Sequence, residues 1–206
     1  MAASARRAAE TPLAPPWQIL VASGMQSVPT INEIKEKVAE AAFGRPLVTN
    51  VLRGQVVEAI IACVLEPHWT WCAADYSSWD FERADGLRLE VKQSAARQSW
   101  ATSDKPSACS FDIANRQGRW EGAAWVEALG RAAHVYIFGH HPIADVSADH
   151  RCANQWQFYV VPTHQLPATQ RIGLRDVQRL SSAISLLGLP LAVEEAANRA
   201  LSFKTP

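Results

Sequence analysis

Two carboxylates, Asp80 and Glu90, and an amine, Lys92, fall in two short alternating stretches, residues 78–82 and 87–92. Polar and apolar residues take turns in both, so a strand would set Asp80 and Glu82, or Glu90 and Lys92, on one face. Carboxylates facing each other across strands repel unless a cation lies between them. Oxygen ligands alone suit a hard cation, Mg²⁺ or Mn²⁺. Lys92 shares the side of Glu90 and can hold a phosphate or orient a water. The plainer reading of the alternation is a solvated hairpin face, so a third element has to decide.

The turn sets whether the charged faces coincide. A two-residue Asp85-Gly86 turn would place Asp80 opposite Val91 and mix the faces. A loop of Ala84, Asp85 and Gly86 instead pairs Trp79 with Val91, Phe81 with Leu89, Glu82 with Arg88 and Asp80 with Glu90. It requires a left-handed Gly86. That register is the expectation.

The third element is a helix. Glu58 lies among Val51, Gly54, Ile61, Ala62 and Leu65 at helical spacing, all apolar or small. An ionised carboxylate on such a stripe is costly unless paired or metal-bound. The alternative is an edge position with the carboxylate reaching solvent. Glu66, at the helix end, reads as ordinary surface.

A helix glutamate (Glu58), then Trp79-Asp80 on a strand, then Glu90-Val91-Lys92 on the next, resembles the PD-(D/E)XK, or restriction-endonuclease-like, nuclease superfamily. Trp79 stands where the motif name has proline. The resemblance spans roughly residues 47–163. It implies an α/β fold, a restriction-endonuclease-like mixed β-sheet flanked by helices. It implies a catalytic set of Glu58, Asp80, Glu90 and Lys92. Asp80, Glu90 and the carbonyl of Val91 would bind Mg²⁺ or Mn²⁺. Lys92 would assist the attacking water or the transition state, and Glu58 would complete the acidic cluster, directly or through water. Asp75 rivals Asp80 but lies outside the paired stretch, so Asp80 is preferred. The implied activity is metal-dependent hydrolysis of DNA phosphodiester bonds by an endonuclease, with DNA as partner and a homodimer as assembly. Three alternatives stand beside it: an inactive nucleic-acid-binding or scaffold protein of the same fold, a nuclease acting on RNA or branched DNA, and a protein-interaction module with a solvated acidic face.

Residues following the motif could line a phosphate backbone: Gln93, Ser94, Arg97 and Gln98, with Arg116 and Arg119 beside Trp120. A solvated loop is the equal alternative for the arginines. Trp79, Trp125 and Trp156 are expected in the core. His140, His141, Asp145, Asp149, His150 and Cys152 match no metal-ligand spacing, and a loop joining two strands is the better reading.

The elements that must position these groups follow from the rest of the chain. It has 206 residues, 48% hydrophobic, enough for one globular domain. Residues 1–28 are expected to be a disordered tail and 29–206 a single nuclease-like domain. A first helix starts at Thr30, with Glu33 closing a capping box, and ends at Gly44 and Pro46. A buried helix over 48–65 stops before Pro67. Further strands are expected over 109–113, 132–140 and 154–163, a helix around 121–131, and final helices over 174–180 and 190–201. Charges balance at +0, which excludes a histone-like coat of basic residues, so any nucleic-acid contact must be a local patch. The four cysteines include no CxxC pair and are too sparse for a disulfide framework, which points to the cytoplasm. No stretch reads as a secretory signal or a membrane span.

Overall fold

The computed structural model describes residues 28–72, 78–121 and 124–203. The chain divides into two units, Met1–Ala39 and Glu40–Pro206. The division falls within helix α1 (Ile31–Phe43). In the first unit the capping box forms as expected. The Thr30 amide donates to Glu33 Oε2 at 2.7 Å and the Glu33 amide to Thr30 Oγ1 at 3.2 Å.

The second unit begins with the remainder of α1 and then α2 (Asn50–Leu65). Strands β1 (Trp69–Trp71), β2 (Phe81–Arg83) and β3 (Arg88–Ala95) follow. Next come β4 (Ser110–Asp112), β5 (Arg116–Glu121), β6 (Ala124–Gly130) and β7 (Val135–His141). The chain closes with β8 (Gln157–Pro162), β9 (Arg171–Gly173), α3 (Leu174–Leu180) and α4 (Leu189–Phe203).

The main sheet has five strands in the order β1-β2-β3-β7-β8. All neighbours are antiparallel except β3 and β7, which run parallel, so the sheet is mixed. Leu89, Val91, Val135 and Ile137 face one way and pack under α2 and α4 with Val57, Ile61, Val193 and Ala197. Gly139 permits the close approach of α2, since a Cβ there would stand 3.2 Å from Val57 Cγ1. Tyr136, Phe138, Tyr159 and Val161 face the other way and pack against Phe111 of β4, Ile172 of β9 and Val177 of α3. The fold is thus an α/β mixed sheet flanked by helices. No helix among the described residues is long and apolar enough to cross a membrane.

Several expectations need correction. Where a helix was expected around 121–131, residues 124–130 are strand β6, paired antiparallel to β5. The run AWVEALG fits either period, and pairing with Arg116–Glu121 overrides its helical propensity. This two-stranded ribbon has no third strand among the described residues, so Trp125 is 52% exposed rather than core, and stacks edge-to-face on Trp120 at 5.5 Å. Trp79 is only half-buried, under the guanidinium of Arg88 at 3.7 Å. Trp156 is in the core as expected. The strand at 110–112 pairs with β9 outside the main sheet. Strands β1, β5 and β9 had no sequence-based expectation.

Candidate active site

The hairpin register holds through its core and breaks at the residue that matters most. Phe81 pairs with Leu89, Glu82 with Arg88, and Gly86 takes φ 81°. At Asp80 the ladder shifts. Its amide donates to Leu89 O at 2.9 Å, and the expected pairs Asp80–Glu90 and Trp79–Val91 do not form. The reason is local. Asp80 turns its own carboxylate into the ladder, and Oδ2 accepts the Val91 N–H at 2.6 Å. Its carbonyl meanwhile accepts the Cys72 N–H at 2.8 Å.

This ends the pairing of β3 on that side. Among the described residues no strand covers that edge of β3 beyond Val91. A strand residue's C=O leaves on the same side as its N–H. The Val91 carbonyl therefore points toward the edge that Asp80 occupies. Asp75, the rival aspartate, lies outside the described residues.

Glu90 and Lys92 sit on the sheet face opposite α2, opposite Tyr136 and Phe138 of β7. That face is covered, not solvated: the side chains of Glu90 and Lys92 are 16% and 28% exposed. Lys92 Nζ donates to Glu90 Oε1 in a close ion pair. Glu58 comes from α2, half-buried, and its Oε2 accepts the indole N–H of Trp71 at 3.1 Å.

Burial and mutual repulsion dominate the electrostatics. Burial, then the charge of Asp80, pushes the Glu58 carboxyl up to about 7. Burial also pushes Glu90 up to about 7; Lys92 opposes this, while Asp80 and Glu58 add to it. Burial raises Asp80, against its hydrogen bond from Val91 and the charge of Lys92. Burial disfavours the Lys92 ammonium, yet Glu90, Asp80 and Asp112 together outweigh it, and the proton is held more tightly than usual. Asp80 thus raises both glutamates, and Glu58 adds to the rise at Glu90.

A groove of about 610 Å³ runs along the open edge. Glu58, Asp80, Val91 and Lys92 line it, with Gln93, Ser94 and Gln98 farther along. A second cleft of about 310 Å³ reaches Glu90 and Lys92 from the far face and is lined by Arg116, Arg119 and Tyr136. Arg97 is elsewhere. It lines a different depression beside Val48 and Ala148, pairs with Asp104 at 2.5 Å and donates to Ala144 O.

The sequence reading missed Asp112 and Arg53. Asp112 lines both clefts and pairs with Arg116 at 2.7 Å. Arg53 is 1% exposed and lies under the groove floor. Its position was readable, because Arg53, Val57, Ile61 and Leu65 repeat every four residues along the buried stripe of α2. The loop between β7 and β8 carries no metal set: among the described residues no three His, Cys, Asp or Glu side chains group to hold one. His141, the last residue of β7, is instead buried with its ring centroid 5.1 Å from those of both His150 and Trp156.

The same absence bears on the carboxylates, which do not form a complete ligand set by themselves. Their chemistry still fits a hard divalent cation. The donors are all oxygen, and a cation would relieve the repulsion that raises their proton affinities. Mg²⁺ keeps several waters and takes one or two carboxylates with substrate phosphate, so a short protein ligand set suffices.

No family model and no curated protein matches the chain. A solved bacterial homing endonuclease is similar in structure, with 16% identity, covering 73% of this chain and 97% of its own, at a TM-score of 0.39. A likeness that loose carries no argument about this chain.

Proposed function

We propose that this protein is a metal-dependent nuclease of the PD-(D/E)XK type that hydrolyses phosphodiester bonds in DNA. The observation that carries the reading is the break at Asp80. A regular hairpin would bury that edge, whereas here a carboxylate displaces the ladder and leaves the Val91 carbonyl and Lys92 beside an open groove. Asp80 and Glu90, with the Val91 carbonyl, would hold Mg²⁺ or Mn²⁺. The metal, when bound, supplies Lewis acidity and activates water.

The chain's own groups do the rest. Lys92 carries a firmly held proton, so it offers positive charge to a phosphate at any physiological pH. With Glu90 holding a metal, Lys92 would be free of its ion pair and would face charge developing on phosphate oxygens. Glu58 titrates near neutrality and sits where a proton leaving an attacking water can be taken up. Gln93, Ser94 and Gln98 border the route along the groove, and Arg116 and Arg119 border the second cleft. A homodimer would present two such sites to the two strands of a duplex.

The test is incubation of plasmid, linear and single-stranded DNA with Mg²⁺, Mn²⁺ or EDTA. Cleavage that needs the metal and disappears in Glu90→Gln supports the reading. Cleavage at full rate in excess EDTA, or in Glu90→Gln, overturns it. Light scattering with and without DNA reads the assembly.

A further inference from the structure

Arg53 is a buried cation whose hydrogen-bond partners among the described residues are all neutral. Nε donates to Gln93 Oε1 at 2.6 Å, Nη1 to Gln98 Oε1 at 3.0 Å and Nη2 to Asn50 Oδ1 at 2.7 Å. Among the described residues no carboxylate pairs with it. Burying a charge without a counter-ion is costly, and here only three amide dipoles, turned oxygen-first, offset the cost.

Amides fixed oxygen-inward must present their N–H groups elsewhere. Gln98 Nε2 donates to Ala95 O at 2.7 Å, and Gln93 Nε2 donates to Asn50 O and Oδ1 at 3.1 and 3.2 Å. The Asn50 oxygen is thus occupied twice, and its exposed amide nitrogen is left as a pure donor on the groove wall. Arg171, exposed, also lines the groove. It donates to Ser110 Oγ at 2.8 Å and joins no ion pair among the described residues. Trp100, 69% exposed, lines the same groove.

The groove is therefore polarised along its length. One end gathers Glu58 and Asp80, while Glu90 lines the second cleft beyond Lys92. The other end has two guanidinium groups, one beneath the floor and one on the wall, and the Asn50 amide donor; Asp112, which also lines the groove, is paired with Arg116. A ligand matching both ends carries repeated anionic groups, one met through a cation and another met by donors directly.

We propose that this end of the groove is a second subsite, for a backbone phosphate of a nucleic acid, and that Arg53 is its positioning residue. The proposal rests on the nuclease reading of the same groove. Arg53 acts without touching the ligand. It supplies charge from below and, with Gln93, holds the Asn50 oxygen so that the Asn50 amide nitrogen is left to the groove.

The test measures binding of a labelled duplex and a labelled single strand by the full chain, in EDTA and in Ca²⁺, across a range of NaCl concentrations. Arg171→Ala is expected to weaken binding about 10-fold and to flatten the dependence of log Kd on log salt by about 0.7–0.9, the value of one phosphate contact. Asn50→Ala should weaken binding by a smaller factor with the salt dependence unchanged. Arg53→Met should lower both affinity and salt dependence. Arg53→Lys should restore the salt dependence but not the affinity, because one ammonium cannot hold three amides in their planes. Thermal melting checks that each variant folds. If Arg53→Met does not, the two surface variants decide.

If the parent binds and cuts DNA while Asn50→Ala and Arg171→Ala keep its Kd and its salt dependence, the subsite is wrong and the nuclease reading stands. If the parent neither binds nor cuts either form of DNA with any of these metals, both fall together. The strand form bound more tightly identifies which backbone the groove accepts.

Discussion

Asp80 Oδ2 accepts the backbone N–H of Val91 at 2.6 Å, so the carboxylate is both a candidate metal ligand and a structural substitute for a strand. The two roles separate by mutation. Asp80→Asn keeps an oxygen for the Val91 amide and removes a buried charge. Asp80→Ala leaves that amide without its partner, which costs about 1–3 kcal/mol. In EDTA, Asp80→Asn should therefore melt at or above the parent and Asp80→Ala below it. Both should cut DNA at least about 100-fold more slowly. Equal melting of the two variants would show that the hydrogen bond contributes nothing.

Lys92→Met should lower turnover far more than DNA affinity, since the ammonium acts on charge that develops in the transition state. It should also destabilise the metal-free protein, because Glu90 would stay buried without its counter-ion. Breaking a fully buried pair costs about 3–5 kcal/mol, and the partial exposure of Lys92 discounts this to roughly 1–2. Adding Glu90→Gln should return most of that stability and none of the activity. Single-turnover rates, Kd in Ca²⁺ and denaturant midpoints read the three effects. A double variant no more stable than Lys92→Met alone would remove the ion pair from the account.

Much of this was legible in the sequence because period-two alternation is a strong signal. Leu87, Leu89 and Val91 fixed which face of β3 is apolar, and the three-residue loop with Gly86 followed from matching it to Phe81. What the alternation could not show is that the charged face is covered. That cover comes from β4 and the β5–β6 ribbon, distant in the chain and built from short strands with weak patterns. The break at Asp80 was hidden for a different reason. A side chain that replaces a ladder hydrogen bond leaves the pattern of residue types unchanged. Arg53 was readable as a cation on a buried stripe, but its three amide partners lie at Asn50, Gln93 and Gln98, and only the fold brings the last two to it.

Glu58→Gln keeps the acceptor for Trp71 and removes the titrating group. The folded Glu58 holds its proton up to about 7, above the unfolded value of 4.5. Between those values the folded state binds more protons, so the contribution of Glu58 to stability falls as pH rises. In EDTA the variant should thus gain on the parent from pH 4.5 to 7 and level off above. Discounted for the half-exposed side chain, the gain is roughly 1 kcal/mol. The same substitution should slow cleavage by about 10-fold or more. A stability difference that is flat with pH would mean that Glu58 ionises as freely as a surface carboxylate.

His150 should give the opposite dependence on pH. Its Nδ1 accepts the Val48 N–H at 3.1 Å, and Nε2 donates to Arg97 O at 3.0 Å, so the neutral ring is fully used. Burial, then the nearby charge of Arg53 and the ring of His141, lowers its pKa from 6.5 to about 4. A folded value below the unfolded one means that the unfolded chain takes up the proton first as pH falls. The stability that His150 contributes is whole above pH 6.5 and is lost between 6.5 and 4. Burial of the ring makes that loss on the order of 2–3 kcal/mol. Glu58 and Glu90 run the other way over much of this range, so the parent's melting curve alone would mix them. Comparison with His150→Gln isolates the ring, because the carboxylates are common to both proteins. The parent should be clearly the more stable at pH 7, and its advantage should shrink steadily toward pH 4. An advantage that stayed constant across that window would show that His150 is protonated in the folded protein as easily as in the unfolded one, contrary to its two hydrogen bonds.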